Sequence, residues 1–414
     1  MTIFFKNKNF RQFSLAELLS GAGDSLFYIA LITYASKLNN YSLALSLIAI
    51  TEALPKVLDT LAGYLADKTK KKFNYLIGLA IARFLLYLLV GLLFTKNIAG
   101  WHLVSIVIVI NFISDSLGAY SNGLQTPLIA DLVSQTEIAD AIGFNGGISE
   151  IIAMVAQFIG SGLLLFMSYS GVAIINSITF LIAGLLFAEV GLRFSKRSQS
   201  INKQEFNQKS FLQTFRSAFH QVIKSKGLFT VTLIIALLNG IIGTIEPLIA
   251  IVIASNRTTM IIFTYSFTIA IVSAAVSCGI ILGSIFGPQL FKKVSIFTLS
   301  SISTIISACS IMMIILKQIY ACLPFLLFLG FFIGAISPKM TQWLFSTVDK
   351  TILASSMGLL NTILIISAPT TTAIITSIAA STNVNDALYL LFIISIIVLF
   401  IILYTTNKIK RIEQ

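Results

Sequence analysis

The chain has 414 residues, 57% of them hydrophobic and only 11% charged, with a formal net charge of +12. So few charged residues cannot cover the surface of a soluble protein of this length, which excludes a water-soluble globular architecture. The basic excess lies between hydrophobic runs rather than on one polar module. That excludes a nucleic-acid-binding domain and fits the positive-inside rule of membrane proteins.

In chain order, Met1–Arg11 is basic and aromatic and leads directly into an apolar segment with no cleavable signal pattern, so the first helix is expected to be retained. Hydropathy predicts twelve membrane helices, near 14–36, 43–66, 73–94, 102–125, 139–167, 171–192, 227–254, 260–290, 294–316, 319–345, 351–379 and 387–406. Each is close to the roughly 20 residues that a bilayer crossing needs. The expected fold is all-α, two six-helix bundles over residues 1–192 and 227–414, joined by the polar linker 193–226. Of the 28 Lys and Arg residues, 21 fall in the termini and alternate loops that include this linker, and 4 in the loops between. That bias predicts a multi-pass plasma-membrane protein with both termini and the linker in the cytoplasm.

The halves share a faint repeat. Val133, Thr136, Ala139 and Gly143 match Val348, Thr351, Ala354 and Gly358 at a fixed offset. Leu18-Leu-Ser-Gly21 matches Leu237-Leu-Asn-Gly240 at a nearly equal one, as in a duplicated transporter.

Ten ionisable residues interrupt the apolar spans, and each costs about 2.5–3.5 kcal/mol or more at a helix centre. Span 1 carries Glu17 and Asp24 seven residues apart, on one face. Span 2 carries Glu52, Lys56 and Asp59 within one stripe, where the lysine can pair with either carboxylate. Arg83 enters span 3 at the depth of Asp59, and an Asp59–Arg83 bridge is expected. Span 4 has Asn111 and Asp115, span 5 Glu150 and Gln157, span 7 Asn239 and Glu246, span 10 Lys339, Gln342 and Trp343. Asp24 and Asp115, with no cation one turn away on their own helices, are the expected proton carriers. Pro247 weakens the case for Glu246, which is expected to bind backbone amides freed by the break. Small residues at Gly279, Gly283 and Gly287 suit span 8 to a sliding contact or to plain tight packing.

The loop Gly63-Tyr-Leu-Ala-Asp67-Lys68-Thr-Lys-Lys-Lys72 resembles the signature between spans 2 and 3 of the major facilitator superfamily. Pro55, Gly23-Asp24, Arg83 and Pro127-Leu-Ile-Ala-Asp131-Leu-Val133 look like its drug-efflux, macrolide-efflux-like branch. Lys70 replaces a second glycine, span 4 lacks an arginine frequent in drug/proton antiporters, and Gln157-Phe-Ile-Gly160-Ser-Gly162 stands where a Gly-Pro hinge is common. The resemblance implies that Gly63, Asp67 and Lys68 form a latch between bundles. It also implies that spans 1, 4, 7 and 10 line a central cavity, with Asp24, Asp115, Glu246 and Lys339 facing it.

The expected function is secondary active export of an amphipathic or cationic organic compound by alternating access, in exchange for protons. The alternatives are an importer or peptide exporter of the same fold, or a non-transporting immunity or assembly factor. The last would bind its partner through the linker, where Phe211, Phe215 and Phe219 form one face of a short amphipathic helix. No enzymatic activity, cofactor or metal is expected. Cys278, Cys309 and Cys322 have no metal or redox spacing, and no Gly-x-x-x-x-Gly-Lys-Ser/Thr run is present. The partners expected are a small-molecule substrate, an ion gradient and lipid, with a monomer as the working unit.

Overall fold

A computed structural model of the chain describes residues 2–96, 98–197, 228–347 and 353–412. Twelve helices in it are long and apolar enough to cross a membrane. These are α1 (Lys8–Ala35), α2 (Tyr41–Lys68), α3 (Lys72–Leu93), α4 (Gly100–Leu132), α5 (Ile138–Leu163) and α6 (Tyr169–Arg197). The second set is α7 (Leu228–Ser255), α8 (Tyr265–Leu290), α9 (Ile296–Ile315), α10 (Ile319–Thr347), α11 (Leu353–Ser381) and α12 (Val384–Ile412). Among the described residues there is no strand. The linker phenylalanines expected to form an amphipathic helix lie outside the described residues.

Polar residues set the helix ends. Asn7 caps α1, its side chain accepting from the Asn9 and Phe10 amides, and it also donates to the Leu132 carbonyl at the end of α4 at 2.8 Å. Thr264 and Ser295 cap α8 and α9 in the same way. Lys317, just past α9, takes the left-handed conformation (φ 58°) that more often selects glycine.

The chain divides into two compact units. One comprises Met1–Leu38 with Leu54–Asn207, the other Asn39–Ala53 with Gln208–Gln414. The first half of α2 thus belongs to the second unit, where the Ser42 and Ser46 hydroxyls donate to the Ala379 and Thr376 carbonyls of α11. The division falls one residue before Pro55. In the first unit α1 packs on α5 and α6, and α3 on α4 and α6. In the second α7 packs on α11 and α12, and α9 on α10 and α12, the same pairing six helices on.

One end of the first unit is an aromatic and aliphatic core built by all six helices, with Phe10, Phe13, Leu76, Leu124 and Phe187 buried at its centre. Gln12 of α1 donates to Glu189 and accepts from Arg193, both on α6, which fastens the ends of those helices.

All seven prolines lie inside helices. A proline removes one amide and strands the carbonyl four residues earlier, which in lipid must find another donor. Two substitutes are visible. Thr372 Oγ1 of α11 donates to the Gly243 carbonyl freed by Pro247, at 3.2 Å. Ser284 Oγ of α8 reaches the Gly334 carbonyl freed by Pro338, at 3.4 Å.

In the second unit α8 and α10 interlock through backbone. Side chains built on Gly279, Gly283 and Gly287 would collide with the Leu327 and Phe331 carbonyls and with Ala335. Side chains on Gly330 and Gly334 would collide with the Val276 and Ile280 carbonyls. The span 8 glycines therefore serve packing within one unit.

Candidate functional site: a buried charge cluster in the first unit

Arg83 of α3 is the centre of the polar interior. Its side chain is only 6% exposed, and its Nη2 donates to both Asp24 carboxylate oxygens of α1, at 2.8 and 2.7 Å. Nη1 donates to Ser20 Oγ at 3.1 Å and Nε to Ser114 Oγ of α4 at 3.0 Å. The guanidinium lies 4.0 Å from the Phe180 ring centroid of α6, a cation–π contact. Gly118 leaves room for it: a Cβ there would sit 3.3 Å from Arg83 Cζ. Four helices thus meet on one cation.

A second line of bonds runs along α4. Tyr87 Oη donates to Asn111 Oδ1 at 2.6 Å, and Asn111 Nδ2 donates to Asp115 Oδ2 at 2.7 Å. Asp115 also acts electrostatically on Arg83. The cluster therefore holds two carboxylates against one guanidinium. Gly23, beside Asp24, allows α6 close to α1, since a side chain there would strike Asn176 and Thr179. The buried Asn176 Nδ2 has no hydrogen-bond partner.

This arrangement corrects the expected Asp59–Arg83 bridge. Asp59 is exposed on α2, and the Arg83 fork is committed to Asp24. Equal depth in two helices does not decide which faces meet. Asp24 is likewise not a carboxylate without a cation, because Arg83 supplies one from another helix.

The remaining candidates are dispersed. Glu17 accepts from Asn145 Nδ2 of α5 at 2.7 Å. Glu246 accepts from the Ser273 hydroxyl of α8. Pro247 itself leaves the Gly243 carbonyl without its helix amide, and Thr372 donates to that carbonyl. Lys339 donates to the Val294 carbonyl just before α9, so its ammonium caps a connection in the second unit. Glu150 and Lys56 are exposed, and Glu52 is half-buried.

In the signature loop, Lys68 Nζ bonds Tyr64 Oη at 2.5 Å and lies over that ring. Lys72 donates to the Ala66 carbonyl. Asp67 falls in the last turn of α2, and its side chain lies outside the described residues. A Cβ on Gly63 would meet open space, and the close contact comes from Gly123 of α4, whose Cβ would lie 3.1 Å from the Ala62 carbonyl. The second unit also holds a polar cavity of about 400 Å³ between the start of α2 and the α11–α12 turn, lined by Asn39, Asn40, Tyr41, Lys317 and Asn383 among others.

Sequence reading missed Ser20, Ser114, Gly118, Phe180 and Asn145. A signal existed for three of them: Ser20 lies one turn before Asp24, and Ser114 and Gly118 extend the Asn111–Asp115 stripe of α4. Phe180 and Asn145 carried none. Among the described residues no group of His, Cys, Asp and Glu could hold a metal ion.

Twelve apolar helices in two units of like pairing, with a charge cluster buried among them, define a multi-pass membrane protein of transporter architecture. The sequence matches the Major Facilitator Superfamily over residues 13–368, and the chain belongs to that family. It is a membrane transporter of that fold. No curated protein matches it.

Solved structures of similar fold include the POT family transporter PepTSo, at TM-score 0.74 and 11% identity, covering 98% of each chain. A POT family transporter in complex with 5-aminolevulinic acid has TM-score 0.71 and 13% identity, covering 97% of each. A mutant of the nucleoside transporter NupG has TM-score 0.67 and 13% identity, covering 96% of this chain and 99% of that one. At such identities the likeness is one of fold.

Proposed function

We propose that this transporter exports an amphipathic or cationic organic compound in exchange for protons, by alternating access across the plasma membrane. Both termini and the linker 193–226 are then cytoplasmic, with six-helix bundles over 1–192 and 227–414 as the moving bodies. The observation that carries the reading is the Asp24–Arg83–Asp115 cluster. Two carboxylates around one guanidinium give the interior of the first unit a net negative character, which attracts cations. The drug-efflux resemblance of the Gly23-Asp24 and Arg83 positions supports the same substrate class.

In this reading Asp115 meets the substrate and Arg83 holds α1, α3 and α4 together through the cycle. Asp67 and the lysines after it latch the cytoplasmic side. Glu246, Glu150 and Lys339 are secondary positions, to be tested after Asp115.

The test is accumulation of ethidium, other dyes, antibiotics and short peptides in cells with and without the gene. Lower ethidium in expressing cells, lost on Asp115→Asn, supports export of a cation. Equal accumulation of every cationic probe sinks that substrate class, and peptide movement instead would favour the second reading, a peptide transporter. The solved POT structures put peptides on the panel. A partner-binding factor would lose function on deletion of the linker and keep it with Asp115→Asn.

A further inference from the structure

Two carboxylates of α1 are held in opposite ways. Asp24 faces the fixed charge of Arg83. Glu17, two turns earlier, faces a neutral donor, Asn145 Nδ2 of α5, at 2.7 Å from its Oε2. Both ends of that amide are engaged: the buried Ser14 hydroxyl donates to Asn145 Oδ1 at 2.7 Å while Nδ2 donates to Glu17.

Among the described residues no ion pair reaches Glu17. The charged groups on the elements packed against α1 are engaged elsewhere or exposed. Glu189 and Arg193 of α6 pair with each other and bond Gln12. Arg83 of α3 turns to Ser20 and Asp24. Asp140 and Glu150 of α5, Asp131 of α4 and Lys6 of the N-terminal turn are exposed. Asp115 of α4 accepts the Asn111 amide.

We propose that Glu17 is the proton-binding site of the first unit and that Asn145 is its positioning residue. A proton from water joins one carboxylate oxygen. The acid keeps the other oxygen as acceptor for Asn145, and release returns the proton to water with no protein bond broken. At Asp24 the same step would neutralise the one carboxylate bonded to the Arg83 fork, leaving the buried guanidinium with Asp115 alone nearby. Glu17 is therefore open to exchange and Asp24 is not. The proposal rests on the proton-exchange reading above, but its first test needs no substrate.

Infrared pH titration of the full-length protein in lipid reads the group directly. A carboxylic-acid carbonyl band should grow on acidification, and Glu17→Gln should remove it. Asn145→Leu, with Glu17 intact, should raise its frequency, because the carbonyl loses its donor. The glutamine keeps an acceptor for Asn145, and the Asn145→Leu shift tests the assignment even where the glutamine variant does not fold. A band that survives Glu17→Gln, or one that Asn145→Leu leaves in place, overturns the proposal.

Proteoliposomes carrying ethidium and an imposed proton gradient then separate this site from the proposed function. Glu17→Gln should stop gradient-driven movement and spare ethidium counterflow. Gradient-driven movement equal to the parent's would overturn the coupling role. A parent that moves no ethidium would sink the proposed substrate class, while the infrared result still decides the proton site.

Discussion

The two units repeat one packing plan and stabilise it by different means. In the first, four helices are tied at one buried arginine, and the glycine contact between α2 and α4 is close but looser, a Cβ on Gly123 lying 3.1 Å from the Ala62 carbonyl. In the second, the corresponding pair, α8 and α10, meets backbone to backbone through five glycines. Polarity there is mostly local. Along α9, Ser303, Thr304, Ser307 and Ser310 return their hydroxyls to carbonyls of their own helix. Such bonds cost little to bury and demand nothing of a neighbour. The first unit is thus centred on a buried ion pair, and the second on a backbone-to-backbone seam.

Substitutions can break this contrast. The largest effect is expected for Asp24→Leu, which removes the carboxylate bonded to the buried Arg83 fork and leaves only Asp115 nearby, at a cost of about 3–5 kcal/mol. Thermal unfolding in detergent would show it as a large fall in Tm, and an unchanged Tm would mean that the guanidinium is solvated. Gly283→Ala should come next, at about 3 kcal/mol, because the new methyl meets the Phe331 backbone and no side chain can move aside. Gly123→Ala, at the matching joint of the first unit, should cost about 1 kcal/mol. If the two glycine variants unfold together, the joints are not different. Smallest is Gly63→Ala, expected within about 0.5 kcal/mol of the parent. A loss of transport by this variant with unchanged Tm would show that the signature glycine is needed in another conformation of the cycle.

The sequence made the helices legible because crossing a bilayer imposes length and apolarity on every span. All twelve expected spans overlap a helix of the structure. The intramembrane charges were legible for the same reason, since each stands out in an apolar run. Their partners were not. Asp59 and Arg83 share a depth, yet the face of α2 that carries Asp59 is exposed, and Arg83 meets α1 instead. Lys339 reads as an interior cation by hydropathy, but its long stem carries the ammonium to the Val294 carbonyl. Depth follows from position along a helix, whereas pairing follows from rotation about its axis, which no single span encodes.

Pro247 in α7 has a mechanical consequence. The carbonyl it frees at Gly243 is covered by a hydroxyl of α11, and Thr244 and Thr372 also meet, at 3.2 Å between their hydroxyl oxygens. Turning α11 by one residue would carry Thr372 away and leave that carbonyl bare in a medium with no water to replace it. The bonding of one helix and the roll of its neighbour are therefore geared together by a threonine.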